Sequence, residues 1–181
     1  MSMSHLRAVY LTGEQVYIRA LTKEDAKAAV AWFDGPFPIN EAGAEEQLKE
    51  LHSGNQWLGQ KSIYAIARRS DDHVVAGVTV KIWRGTQADL KFHTAPWLDP
   101  GEADALRAEA LALIVPWLRD EREVMAVQAN IPADQPASLA AAEASGMTVA
   151  ARLRRFIARP GQRVDLLLCE ALNPLWEARN A

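Results

Sequence analysis

The sequence predicts a mixed α/β (α+β) fold: a mostly antiparallel sheet of about six or seven strands, with one central parallel pair and about four flanking helices. Two pairs of alternating runs meet at turn signals. Ser62 to Arg69 and Val74 to Trp83 meet at Asp71-Asp72, and Val149 to Ala158 and Val164 to Ala171 meet at Pro160-Gly161, so each pair reads as an antiparallel hairpin. Between them lies a strand–helix–strand unit. Leu90 to Leu98 reads as a strand, Asp99-Pro100-Gly101 as a turn, about Glu102 to Arg122 as a helix and Val124 to Ala129 as a buried strand. The two strands of such a unit lie parallel, joined by a right-handed crossover.

The other elements follow in order. Residues 1–11 read as a lead-in and Gln15 to Ala20 as a short strand. Thr22 offers an N-cap, with Asp25 three positions on, for a helix over Ala26 to Phe33. Gly35-Pro36-Phe37-Pro38 breaks it, and Glu41 to His52 forms a polar second helix ending at Gly54. Ile63, Ala65 and Ala67 share one face of the next strand, and Val74, Ala76, Val78 and Val80 one face of its partner. After Gly85-Thr86 the strand from Leu90 continues the meander. Leu106, Ala110, Leu113, Ile114 and Trp117 give the long helix a sheet-facing side, and Pro116 kinks it or marks its last turns. Asp134 to Ser138 then lead into a helix ending at Gly146.

Composition narrows the function. At 181 residues the chain suits one domain over 1–181, and 49% hydrophobic with 24% charged residues is ordinary for a soluble one. A net charge of −3 argues against a nucleic-acid partner. Cys169 is the only cysteine, so no internal disulfide or Cys-based metal site is expected. The absence of a long apolar run or signal-peptide pattern predicts a cytoplasmic chain with no membrane partner. There is no Gly-x-Ser-x-Gly elbow, P-loop, dinucleotide fingerprint or metal-spaced cluster.

The turn at 99–101 is the place to look for a phosphate-bearing ligand, because a strand feeding a helix N-terminus presents free amides and the positive end of a dipole. WLDP at 97–100 followed by AEAL at 108–111 resembles the central strand–loop–helix of the GNAT acyl-CoA transferases, in their RimJ/RimL-like branch. Three further stretches carry the likeness. VYIRALTKEDA with AWF resembles the opening of these proteins, Ser138, Glu143 and Gly146 keep positions of their penultimate helix, and RVDLLLCEALNPLW resembles their closing strand. The likeness spans about residues 11–176.

The resemblance implies acetyl-CoA as acyl donor and an amine as acceptor. It implies that the pyrophosphate is held around Trp97, Leu98, Ala103, Asp104, Ala105, Leu106 and Arg107, and the pantetheine arm by Gln135 and Ser138. The loop departs from the family pattern. Counting back from AEAL, Glu102 stands where Gln or Arg is usual, with Ala105 and Arg107 at small-residue positions; counting forward from WLDP shifts the register by one. His93 takes the place of the family's usual glutamate base, Ser138 is a relay candidate, and Ala142 replaces the usual tyrosine acid. Trp32, Phe33, Phe37 and Trp57 are candidates for the acceptor wall, and Arg19 for a structural role.

Two functions follow. One is an acyl-CoA-dependent N-acyltransferase that moves an acetyl group to a primary amine, on a protein N-terminus or a small molecule. The other is a non-catalytic GNAT-like binding domain that has lost the donor, a reading favoured by the acidic, glycine-free loop. The resemblance leaves room for a homodimer.

Overall fold

Eight strands form one sheet in the order β1-β2-β3-β4-β5-β6-β8-β7 in the computed structural model, which describes residues 9–35, 37–53, 60–84 and 86–179. β1 (Val9–Thr12), β2 (Val16–Ala20), β3 (Gln60–Arg68), β4 (Val74–Trp83) and β5 (Gln87–Thr94) form an antiparallel meander. β6 (Ala126–Pro132) joins β5 in parallel, and the hairpin of β7 (Thr148–Arg159) and β8 (Gln162–Leu172) closes the far edge, with β8 beside β6. The turn of that hairpin needs a left-handed residue, and Gly161 supplies it at φ 73°. The predicted lead-in contains an edge strand, β1, which brings the count to eight. Gly54, Trp57 and Gly85 lie outside the described residues.

The helices cover both faces. A 3₁₀ turn over Lys23–Ala28 runs into α1 (Ala29–Trp32), followed by α2 (Glu41–Ser53), α3 (Pro100–Pro116), α4 (Pro136–Ala144) and the short α5 (Pro174–Arg179). α3 buries Leu106, Ala110, Leu111, Ile114 and Val115 in one core with Val78, Val80, Ala88, Leu90, Val127 and Ala129. Its α-helical geometry stops at Pro116, and Trp117–Glu121 continues as a single π turn closed by Arg122 N–H to the Trp117 carbonyl at 3.0 Å. A proline without an N–H, whose ring presses on the preceding turn, accounts for this change of winding.

Trp32, Ala44, Leu48, Ala65 and Ala95 form a second core on the opposite face. α1 sits directly on β4, and a Cβ at Gly77 would come within 2.6 Å of Trp32 Cα, so glycine is required there by close approach. Arg19, only 1% exposed, ties β2 to the 3₁₀ turn through two bonds to the Asp25 carboxylate, at 2.7 and 2.8 Å. The same carboxylate takes the Thr22 N–H at 2.7 Å. Arg19 thus has the structural role expected of it, and Trp32, fully buried with its indole N–H on the Asp25 carbonyl, belongs to the core.

Candidate active site

The parallel pair is where the sheet opens. The β5–β6 register runs from Gln87–Ala126 to Leu90–Ala129 and stops there, although β5 continues to Thr94 and β6 to Pro132. A cavity of about 740 Å³ occupies the widening gap, lined by Leu90, Phe92, Ala129, Asn130 and Pro132 from the two strands and by Leu166 and Leu168 of β8. A second, of about 430 Å³, lies at the mouth of the gap against Thr94, Leu98, Pro100, Ala103, Asp134 and the β7–β8 turn. Arg107, Gln135 and Arg159 line both, so the two are adjoining parts of one cleft.

At the mouth the first turn of α3 faces the cleft, and the guanidinium groups of Arg107 and Arg159 add positive charge. Arg159 is fixed by Asp134 at 2.8 Å, and the pairing holds the Asp134 carboxyl below its ordinary range. Burial presses the Arg107 pKa down, with Asp104 opposing. Gln135 Oε1 is buried and has no hydrogen-bond partner, so the cleft presents an acceptor that a ligand amide could satisfy.

Asp104 turns away from the cleft. Its carboxylate accepts the N–H groups of Ala137 at 2.8 Å and Ser138 at 3.0 Å and the Ser138 hydroxyl at 2.5 Å. An α3 side chain therefore caps α4, whose own cap position, Gln135, makes no side-chain cap bond. Replacing Asp104 by Ala is expected to cost about 2–4 kcal/mol, because it strands buried donors at a helix start. Urea unfolding measures this, and a midpoint unmoved from that of the parent chain would refute the capping role. Glu102 also leaves the cleft, pairing with Arg68 of β3 at 2.7 Å.

The deeper part of the cleft holds a charged cluster. β-sheet register sets Lys61 opposite Lys81, Lys81 opposite Asp89, and Thr79 opposite Lys91, all on one face. Asp34, just after α1, lies 2.5 Å from Lys91 Nζ and 3.8 Å from Lys61 Nζ. His93, half-buried on β5, places Nε2 3.1 Å from Asp34 Oδ1, at ion-pair distance but without hydrogen-bond alignment. Burial lowers the His93 pKa below its ordinary 6.5; Asp34 opposes the shift, and Lys91 and Lys61 reinforce it. His93 is therefore neutral at neutral pH and able to accept a proton.

Of the residues named from sequence, Leu98, Ala103, Arg107 and Gln135 meet at the mouth. Trp97 stands 61% exposed on the approach, Ala105 is exposed, and Leu106 is core. Asp104 and Ser138 are buried against each other between α3 and α4. His93 stands behind Asp34, which forms the cavity wall there. Phe33 packs on the second core and Phe37 is exposed. Sequence reasoning missed Asp34, Lys61, Lys81, Lys91 and Arg159. In the sequence Asp34 falls between the predicted helix and the breaker at Gly35, Lys61 just before a predicted strand, and Lys81 and Lys91 within alternating strands. Among the described residues, no group of three or more His, Cys, Asp or Glu could hold a metal, and no helix is long and apolar enough to cross a membrane.

No protein-family model matches the chain, and no curated protein does. Solved structures do. A crystal structure described as a "putative acetyltransferase" from Sphaerobacter thermophilus is 50% identical, with TM-score 0.75, over 94% of this chain and 99% of that one. The fold is shared with the ribosomal-protein-S5-alanine acetyltransferase from Vibrio fischeri (14% identity, TM-score 0.62, 93% and 98% covered). It is shared likewise with the spermidine/spermine N-acetyltransferase from Vibrio cholerae (16%, TM-score 0.61, 92% and 98%). The sheet parted at its parallel pair, with a helix N-terminus at the opening, is that of an acetyltransferase. The chain belongs to the GNAT family of these enzymes, which draw their acyl group from an acyl-CoA.

Proposed function

We propose that the chain transfers an acetyl group from acetyl-CoA to a primary amine, with the donor entering at the α3 mouth and the amine at the Asp34–His93 end. The observation that carries this reading is the cleft itself, which joins an arginine-flanked helix start to Asp34, with neutral His93 directly behind it, through a gap between parallel strands. The donor fits the residues present. Arg107, Arg159 and the first α3 amides suit its diphosphate, and the unpartnered Gln135 Oε1 suits an amide of its pantetheine arm. When bound, acetyl-CoA supplies an acyl carbon activated as a thioester.

The protein's own part is proton handling and placement. An amine that arrives as an ammonium ion must lose a proton to free the lone pair that forms the C–N bond, and neutral His93, behind Asp34, takes that proton through the Asp34 carboxylate or a water beside it. Asp34, 3.1 Å from Nε2, stabilises the imidazolium that results. Ala142, buried in α4, has no proton to give, so the thiolate that leaves the thioester takes its proton from solvent. Ser138 acts as a positioning residue, its hydroxyl locked on Asp104. The loop needs no glycine to escape acidic crowding, because Glu102 and Asp104 are both drawn away by other partners. That answers the charge part of the argument for a domain that has lost its donor.

The remaining partner is a second copy of the chain. β7 is one edge of the sheet, twelve residues long, with Val149 and Phe156 exposed along it. A single-chain mass in sedimentation would remove the homodimer. A cytoplasmic setting suits a chain whose one cysteine, Cys169, is buried.

Titration with acetyl-CoA tests the donor assignment. At about 100 times its dissociation constant the ligand should add about 2.7 kcal/mol of stability, read as a raised melting temperature. An unshifted melting curve at millimolar ligand would end the acetyl-CoA assignment.

A further inference from the structure

Resting on the transfer reading, we infer that the acceptor is an amine that also carries an anionic group, a carboxylate or phosphate, bound by Lys61 and Lys81 at the inner end of the cleft. Three lysines line that end, Lys61, Lys81 and Lys91, against two carboxylates, Asp34 and Asp89. Both carboxylates are already engaged. Asp34 faces Lys91 and Lys61, and Asp89 accepts the Trp83 indole N–H at 2.7 Å. Asp34 is shared between two lysines, and the three lysines exceed the two carboxylates by one charge, so a polyamine would meet net positive charge.

The cations have capacity to spare. Lys61 reaches Asp34 only at 3.8 Å and is 46% exposed, and Lys81 Nζ rests on the Trp83 ring, 3.7 Å from its centroid. Each ammonium has three N–H donors. A second, independent observation points the same way. Thr79, 5% exposed and lining the cavity on the same face, has a buried hydroxyl with no partner. A buried polar atom left unsatisfied at a cavity wall is a place for a ligand oxygen. An acceptor with its amine toward Asp34 and His93 and its anion toward Lys61, Lys81 and Thr79 satisfies every group there.

The test compares γ-aminobutyrate and aminopropyl phosphate with butylamine and putrescine at saturating acetyl-CoA, following CoA release. One or both anionic amines are expected to exceed butylamine in kcat/KM by roughly ten- to a hundredfold, the scale of charge-assisted hydrogen bonds. Putrescine should be the poorest acceptor. Which anionic amine wins tells carboxylate from phosphate. Lys81→Gln and Thr79→Val should each bring the anionic-to-neutral ratio toward one, through KM rather than kcat. A ratio near one in the parent enzyme, a preference for putrescine, or a ratio untouched by both substitutions overturns the anion site while transfer itself stands. No product from any amine, together with no melting shift on acetyl-CoA, would sink both.

Discussion

His93→Ala is expected to slow turnover by about 10²- to 10⁴-fold, the usual contribution of a positioned base, while acetyl-CoA affinity stays within about twofold. The split follows from the geometry: His93 stands at the Asp34 end of the cleft, and the donor's groups gather around Arg107 and Gln135. A pH profile gives the same residue a signature. Burial holds the His93 pKa below 6.5, so kcat/KM should be level near neutrality and fall as pH drops through that lowered value. Lys91 also presses the pKa down, so Lys91→Met should move the acid limb upward. A turnover rate that His93→Ala leaves intact, or an acid limb that survives it, would remove His93 as the base.

Asp25→Ala is expected to destabilise the fold by about 3–5 kcal/mol, because it leaves the Arg19 guanidinium buried without a counter-charge. For a chain of this size that lowers the melting temperature by roughly 10 °C. Calorimetry measures it, and a loss below about 1 kcal/mol would mean that water or another carboxylate reaches Arg19. The double replacement Arg19→Met with Asp25→Leu should recover most of the loss, since removing both charges removes the desolvation cost as well. The pH dependence has a definite sign. Burial acts to raise the Asp25 pKa, but the Arg19 bonds and the Thr22 N–H outweigh it and hold it below 3.8. Its contribution is therefore complete above the unfolded value and is lost as pH falls through the lowered folded one.

The parts of the fold written in periodicity were readable before any coordinates. The hairpin alternation of β3–β4 and β7–β8, the break at Pro100-Gly101 and the apolar stripe of α3 are local patterns, and they gave the meander, the closing hairpin and the parallel pair. β1 was hidden because four residues are too few to display a period. The chemistry was less readable because it is assembled across elements. Asp104 reads as ordinary first-turn helix grammar, yet its partners are amides 33 and 34 residues away on α4. Lys61 falls just before a predicted strand and Lys81 and Lys91 within two others, and only the sheet register brings them around Asp34.

The contact between Gly77 and Trp32 has a consequence for the chemistry. Asp34 leaves α1 two residues after Trp32, so the depth to which the tryptophan backbone sinks onto β4 sets where the carboxylate beside His93 can stand. A methyl group at position 77 would lift that short helix off the strand like a shim under a hinge. Proton transfer would then suffer from a change that adds no charge, removes no polar atom and touches neither reactant.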